Sequence, residues 1–139
     1  VLNKGREISE IDLGILASLG IATVPVLRRP TIGFVSTGDE LVNITKKLKT
    51  SQVYDSNRYL LHGLLSKYPI TIKDYGVVKD KLSLIEKKFV KASSECDVLI
   101  TTGGVSVGDA DYVKEVLQRL GKVNFWKIAV KPGRPLAFG

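Results

Sequence analysis

Residues 70–102 read ITIKDYGVVKDKLSLIEKKFVKASSECDVLITT, and the order of patterns within them decides the fold. ITIKDYGVV, rich in β-branched residues, predicts a strand, DKLSLIEKKFVKAS a helix and DVLITT a second strand. Two parallel neighbours in a sheet need a long crossover between them, and a helix of this length supplies one. The same alternation continues outward. DADYVKEVLQRLG predicts a further helix and KVNFWKIAV a further strand, while upstream TIGFVST reads as a strand and SNRYLLHGLLSKY as an amphipathic helix. The reading is therefore an α/β domain of three layers, with an open, mainly parallel sheet and helices on both faces.

The remaining segments frame this unit. In SEIDLGILASLGI the spacing of Ile11, Ile15, Leu16 and Leu19 predicts a helix with Ser9 as its cap and Gly20 as its stop. TVPVLRRP, with its two prolines, reads as a connector or edge segment. Residues 1–30 are thus expected to be a helix and connector coming from an upstream domain, and residues 31–139 the α/β domain. Between TIGFVST and the next helix, GDELVNITKKLKTSQVYD reads as a loop longer than most connections. In open α/β sheets functional sites lie at the carboxyl ends of strands. The loops after TIGFVST, YGVV and DVLITT are expected at that one edge.

The chain has 139 residues, 44% of them hydrophobic, enough for one domain with a sizeable core. No apolar run reaches the ~20 residues of a membrane span, and VLNKGREISE lacks the apolar region of a signal peptide, so the cytoplasm is the default. Cys96 and His62 are the lone residues of their types, which leaves no soft-metal cluster and makes zinc the wrong expectation. Cys96 reads as a small buried hydrophobe and His62 as a packed or surface residue of a helix. The net charge of +7 points to an anionic partner. Residues 121–139 carry Lys122, Lys127, Lys131 and Arg134 with no acid among them. Without a basic helix face or a nucleic-acid-binding motif, a small anionic ligand fits this charge better than nucleic acid.

Two readings compete for TTGGVSVGD. Gly103 and Gly104 can take positive φ and bring backbone N–H groups close to an anion, or they can simply form a tight strand-to-helix turn. Asp109 and Asp111 then either cap the following helix or hold a metal. Asp39 and Glu40 follow the first strand and Asp80 follows YGVV, so carboxylates stand at three strand ends. Mg²⁺ is held by one or two carboxylates together with substrate phosphates, and convergence of these acids would suit a phosphate ester or anhydride. In YDSN, Asp55 or Ser56 is the expected helix cap. In KPGRP two prolines stiffen a turn that presents Lys131 and Arg134, a preorganised pair of cations suited to a compact oxyanion.

LASLGI, STGDELV, YDSNRYLL, TTGGVSVGDADYVKEVL and KIAVKPGRPLAFG occur in this order over nearly the whole chain. Together they resemble the molybdopterin molybdenumtransferase family, which comprises MoeA proteins and the E domain of gephyrin. The resemblance implies a molybdopterin-binding domain with a MogA-like fold. It implies binding of adenylylated molybdopterin and molybdate, with Mg²⁺-dependent release of AMP as molybdenum is placed on the dithiolene. It also implies catalytic roles for Glu40, Asp80 and Asp111, with Asp80 and Asp111 as the metal ligands. Thr37, Gly103, Gly104, Ser106, Lys131 and Arg134 become the ligand-binding residues, the last two contacting molybdate. Arg134 stands where the family usually has Lys, the loop between Val42 and Val53 lacks the usual Pro/Gly pattern, and further domains are expected on either side. A homodimer and a MogA-type partner are expected for the full-length protein. MogA- or CinA-like relatives share the fold, but Val105-Ser106 and KPGRP favour the molybdenum-inserting branch, and a gephyrin-like scaffold role is the rival of another class.

Overall fold

The computed structural model describes residues 2–103, 112–127, 129 and 135–139. In chain order the elements are α1 (Glu10–Ser18), β1 (Thr31–Thr37), β2 (Leu41–Val42), β3 (Val53–Tyr54), α2 (Ser56–Leu65), β4 (Thr71–Val78), α3 (Leu82–Glu95), β5 (Val98–Thr102), α4 (Tyr112–Leu120), β6 (Phe125–Lys127) and β7 (Pro135–Phe138). The main sheet has the order β4-β1-β5, and both pairings are parallel. β1 takes the centre because it is buried on both faces from Gly33 to Thr37.

The chain leaves β1 for one edge through α2 and returns across β1 to the other edge through α3. Right-handed crossovers running in opposite directions place their helices on opposite faces of the sheet. Adjacent strand residues show this directly, because their side chains point to opposite faces. Phe34 meets His62 of α2 edge-on, with ring centroids 6.5 Å apart. Val35 packs instead in a cluster with Val78, Ile85, Phe89, Val113 and Val116, which places α3 and α4 on its side. The main core therefore lies between the sheet and this helix pair. Each fully buried Ile, Val or Phe there contributes about 1.5–3 kcal/mol over an exposed one.

Several expectations are corrected. The long segment after β1 is not structureless, since β2 and β3 form a parallel ladder of two residue pairs inside it. Among the described residues, KVNFWKIAV contributes β6, which pairs antiparallel with β7 outside the main sheet. That choice is made by pairing with a separate segment of chain, which strand propensity does not reveal. Cys96 is only partly buried, and its Sγ lies 3.3 Å from the Tyr75 hydroxyl, which also donates to Glu95 at 2.8 Å. Burial, with these hydrogen bonds, pushes the Tyr75 phenol up from its ordinary value. Gly33 makes that contact possible, because a Cβ there would stand 2.8 Å from both Cys96 Sγ and the Tyr75 ring.

The helix α1 forms where the spacing places it, and its capping follows from local chemistry. Ser9 and Asp12 form a reciprocal capping box, and Arg6 adds a 2.8 Å ion pair to Asp12. The Ser9 backbone N–H, then its hydroxyl, hold the Asp12 carboxyl below its ordinary value. Gly20 stops the helix with φ of 69°. Its apolar residues mostly face outward: Leu16 is buried, while Ile11 and Leu13 are 75% and 59% exposed. The connector after it is anchored by Arg28, which forms a forked ion pair with Asp97 at the start of β5. No helix among the described residues is long and apolar enough to cross a membrane.

Candidate functional site

The connection after β1 leads to α2 on one face, and the chain after β5 leads to α4 on the other. In open α/β sheets, the crevice at the carboxyl ends of two neighbouring strands whose helices lie on opposite faces is the usual ligand position. Thr37 ends β1 and Gly103 follows β5, so the two meet at this crevice. Gly103 has φ of 83°, as the glycine reading requires, and a Cβ there would lie 2.1 Å from the Thr37 carbonyl oxygen. Only glycine brings the two backbones this close. Thr37 is 1% exposed, yet its Oγ1 has no hydrogen-bond partner among the described residues. A buried hydroxyl without a partner is costly unless something else supplies one. Thr101 Oγ1, on the same sheet face as Val35 and Thr37, is unpartnered in the same way. Neither its composition nor its spacing marks Thr101 out in the sequence.

The loops after β1 and β4 bring their acids close to one another. Gly38 N–H donates to the Val78 carbonyl at 3.2 Å, tying the two strand ends. Asp80 N–H then donates to Asp39 Oδ1 at 3.3 Å. The Glu40 carboxylate folds back under Gly38, its Oε1 2.8 Å from where a Cβ would stand. Burial first, then the negative charges of Asp39 and Glu40, raises the Asp80 carboxyl above its ordinary value. A carboxyl whose charged form is disfavoured in this way is one that a nearby hard cation would relieve. Among the described residues, however, no group of three His, Cys, Asp or Glu side chains is arranged to hold a metal ion. Asp39 serves here as the link between two loops, a part the sequence did not distinguish from that of Glu40.

Gly104, Ser106, Asp109, Asp111, Lys131 and Arg134 lie outside the described residues. Of the residues expected in the site, Thr37, Glu40, Asp80 and Gly103 are thus the ones that the structure places, all at the carboxyl edge of the sheet. YDSN resolves to a cap on Asp55, whose Oδ1 accepts from Arg58 N–H at 3.2 Å. His62 is exposed apart from its contact with Phe34.

Comparison with known proteins bears on what this crevice holds. The family model described as "Probable molybdopterin binding domain" matches residues 33–139. Molybdopterin molybdenumtransferase of Haemophilus influenzae is 49% identical over 139 residues, which is 100% of this chain and 34% of that protein. Gephyrin of Dictyostelium discoideum is 37% identical over 150 residues, covering 99% of this chain and 21% of its own length. Among solved structures, a molybdopterin biosynthesis MoeA protein from Pyrococcus horikoshii OT3 superposes with a TM-score of 0.74 at 32% identity. That match covers 100% of this chain and 34% of the other. The chain therefore spans about a third, or less, of the length of these relatives.

Proposed function

Because the chain belongs to the molybdopterin-binding domain family, we propose that it is the part of a molybdenum-cofactor-forming enzyme that holds the pterin substrate. In the full-length protein the substrate is adenylylated molybdopterin, and the reaction inserts molybdate with release of AMP. The observation that carries this reading is the crevice itself. At one strand edge a glycine turn closes on a buried threonine hydroxyl that has no partner among the described residues, and Asp39 and Glu40 after β1 stand beside Asp80 after β4.

The residues divide by charge. The Thr37 hydroxyl can donate to a phosphate oxygen, and the left-handed turn at Gly103 lets the ligand approach the backbone without a side chain in the way. Gly104 and Ser106 continue that turn in sequence, and Lys131 and Arg134 supply the cations that molybdate requires. Asp80 would hold Mg²⁺ with Asp111, and Glu40 would act beside them as a catalytic acid. The chemistry Mg²⁺ supplies is neutralisation of the anhydride and of the charge that develops on its leaving phosphate. The raised Asp80 carboxyl supports this assignment, because a nearby cation restores the charged form that its acidic neighbours disfavour. The homodimer, the MogA-type partner and the cytoplasmic location belong to the same reading, in which other domains complete the site.

Titration of the 139-residue chain with AMP and with a pterin phosphate, each with and without Mg²⁺, tests this. Each lost contact to a charged donor removes roughly 1.5–3 kcal/mol, so two missing contacts weaken binding by about two to four orders of magnitude. The expected result is weak, Mg²⁺-sensitive binding without turnover, reduced further by Lys131→Ala. In the full-length protein, Asp111→Asn and Asp111→Ala should both lose turnover. Absence of binding to the chain, or normal turnover in both variants, would overturn the reading.

A further inference from the structure

Asp55 carries more than a helix cap requires. A cap needs one side-chain oxygen, and Ser, Thr or Asn provides it as well as Asp. Asp55 uses Oδ1 on Arg58 N–H at 3.2 Å, while Oδ2 has no partner among the described residues and the residue is 2% exposed. Arg58, the cation nearest in sequence, pairs with Asp74 instead, at 2.7 Å. A buried carboxylate oxygen with neither donor nor cation is costly, and a simple cap would not need it.

Its position ties it to the crevice. Val53 N–H donates to the Glu40 carbonyl at 3.0 Å and Asp55 N–H to the Val42 carbonyl at 3.1 Å. The backbone of Asp55 is thus held beside the segment that continues β1 into the acids. Asp55 opens α2, which packs on the sheet face of Phe34 and therefore of Ser36. At this strand end the α2 face is polar, because Thr102 Oγ1 donates to Ser36 Oγ at 3.1 Å. Thr37 and the Gly103 turn lie on the opposite face.

We infer that Asp55 is a specificity-determining residue whose free Oδ2 accepts a hydrogen bond from the 2-amino edge of the pterin. This rests on the pterin-binding reading above. A carboxylate repels phosphate, so Asp55 cannot serve the anionic end of the ligand and selects N–H donors instead. A pterin offers such donors at its 2-amino group and adjacent ring N–H, at the end away from the phosphate. The ligand would then lie across the end of β1, phosphate towards Thr37 and Gly103 and amino edge towards α2. Oδ2 is buried in the free chain, and the β2–β3 ribbon that leads into Asp55 is a ladder of only two residue pairs.

The probes are neopterin monophosphate and the corresponding lumazine phosphate, in which a 2-oxo group replaces the 2-amino group. The 139-residue chain should bind the pterin about 10- to 100-fold tighter than the lumazine, the range for one hydrogen bond to a charged group. Asp55→Ser keeps a cap oxygen and removes Oδ2, so the preference should collapse to about threefold or less with little change in melting temperature. Asp55→Asn, an equivalent cap that can turn an amide N–H towards the ligand, should favour the lumazine. If Asp55→Ser fails to fold, Asp55→Asn alone decides. A preference that survives in the variants, or wild-type binding of both probes with equal affinity, would overturn this inference and leave the pterin reading standing. Binding of neither probe by the wild type would overturn both.

Discussion

Replacing Gly103 with alanine tests the geometry at the centre of the site. The added Cβ would stand 2.1 Å from the Thr37 carbonyl oxygen, 3.2 Å from the Thr37 carbonyl carbon and 3.2 Å from Thr37 Oγ1. The first distance lies more than an ångström inside ordinary contact, and the obstacle is backbone of a central strand, which cannot rotate away. Two costs follow. Holding a non-glycine residue at the observed φ of 83° costs about 1–2 kcal/mol. Relieving the overlap by shifting packed backbone costs about 1–3 kcal/mol more. The expected loss is therefore about 2–5 kcal/mol, or a fall in melting temperature of roughly 6–20 °C for a chain of this size. Gly63→Ala is the matching control, because a Cβ there meets nothing within 4 Å and the residue lies inside α2. That change should stabilise by about 0.5–1 kcal/mol. Urea unfolding followed by circular dichroism measures both. A Gly103→Ala protein within about 0.5 kcal/mol of wild type would refute both the close approach and the positive φ.

Three further outcomes are expected. Phe89 is 2% exposed at the centre of the core cluster, and Phe89→Ala should cost about 3–5 kcal/mol in the same unfolding assay. The forked hydrogen bonds from Arg28, then the Thr31 N–H, hold the Asp97 carboxyl down at about 2, against an unfolded value of 3.8. A depressed carboxyl contributes stability that is complete above the unfolded value and fades as pH falls through the folded one. An acid melting series should accordingly show Arg28→Ala to be destabilising at pH 6, with the difference from wild type shrinking below about pH 4. Asp80 shifts the other way, its carboxyl raised by burial and by Asp39 and Glu40, so any stability from its neutral form is present at low pH and lost as pH rises. Mg²⁺ should offset that loss, and calorimetry should find Mg²⁺ affinity rising with pH across the carboxylate range in wild type. Asp80→Asn should flatten that dependence, and an unchanged profile would remove Asp80 from the cation site.

What the sequence determined by itself is local in origin. Ser9 and Gly20 bound α1 because capping and left-handed termination depend on a few neighbouring atoms. The alternation of ITIKDYGVV, DKLSLIEKKFVKAS and DVLITT determined a parallel sheet, since chain connectivity leaves few other solutions. Carboxylates at strand ends were legible for the same reason: parallel strands put all their carboxyl ends at one edge. Only the tertiary structure decided which of several similar residues does what. Asp39, and not Glu40, links the β1 and β4 loops, because that choice depends on a backbone N–H donated from 41 residues away. The same holds for the Arg28 and Asp97 pair, 69 residues apart, and for the antiparallel pairing of β6 with β7. In sequence Thr101 looks ordinary, Asp55 reads as a helix cap, and Thr37 is marked by the family resemblance alone. Their unpartnered oxygens appear only when packing has excluded water from them, because burial belongs to the assembled layers and not to any stretch of chain.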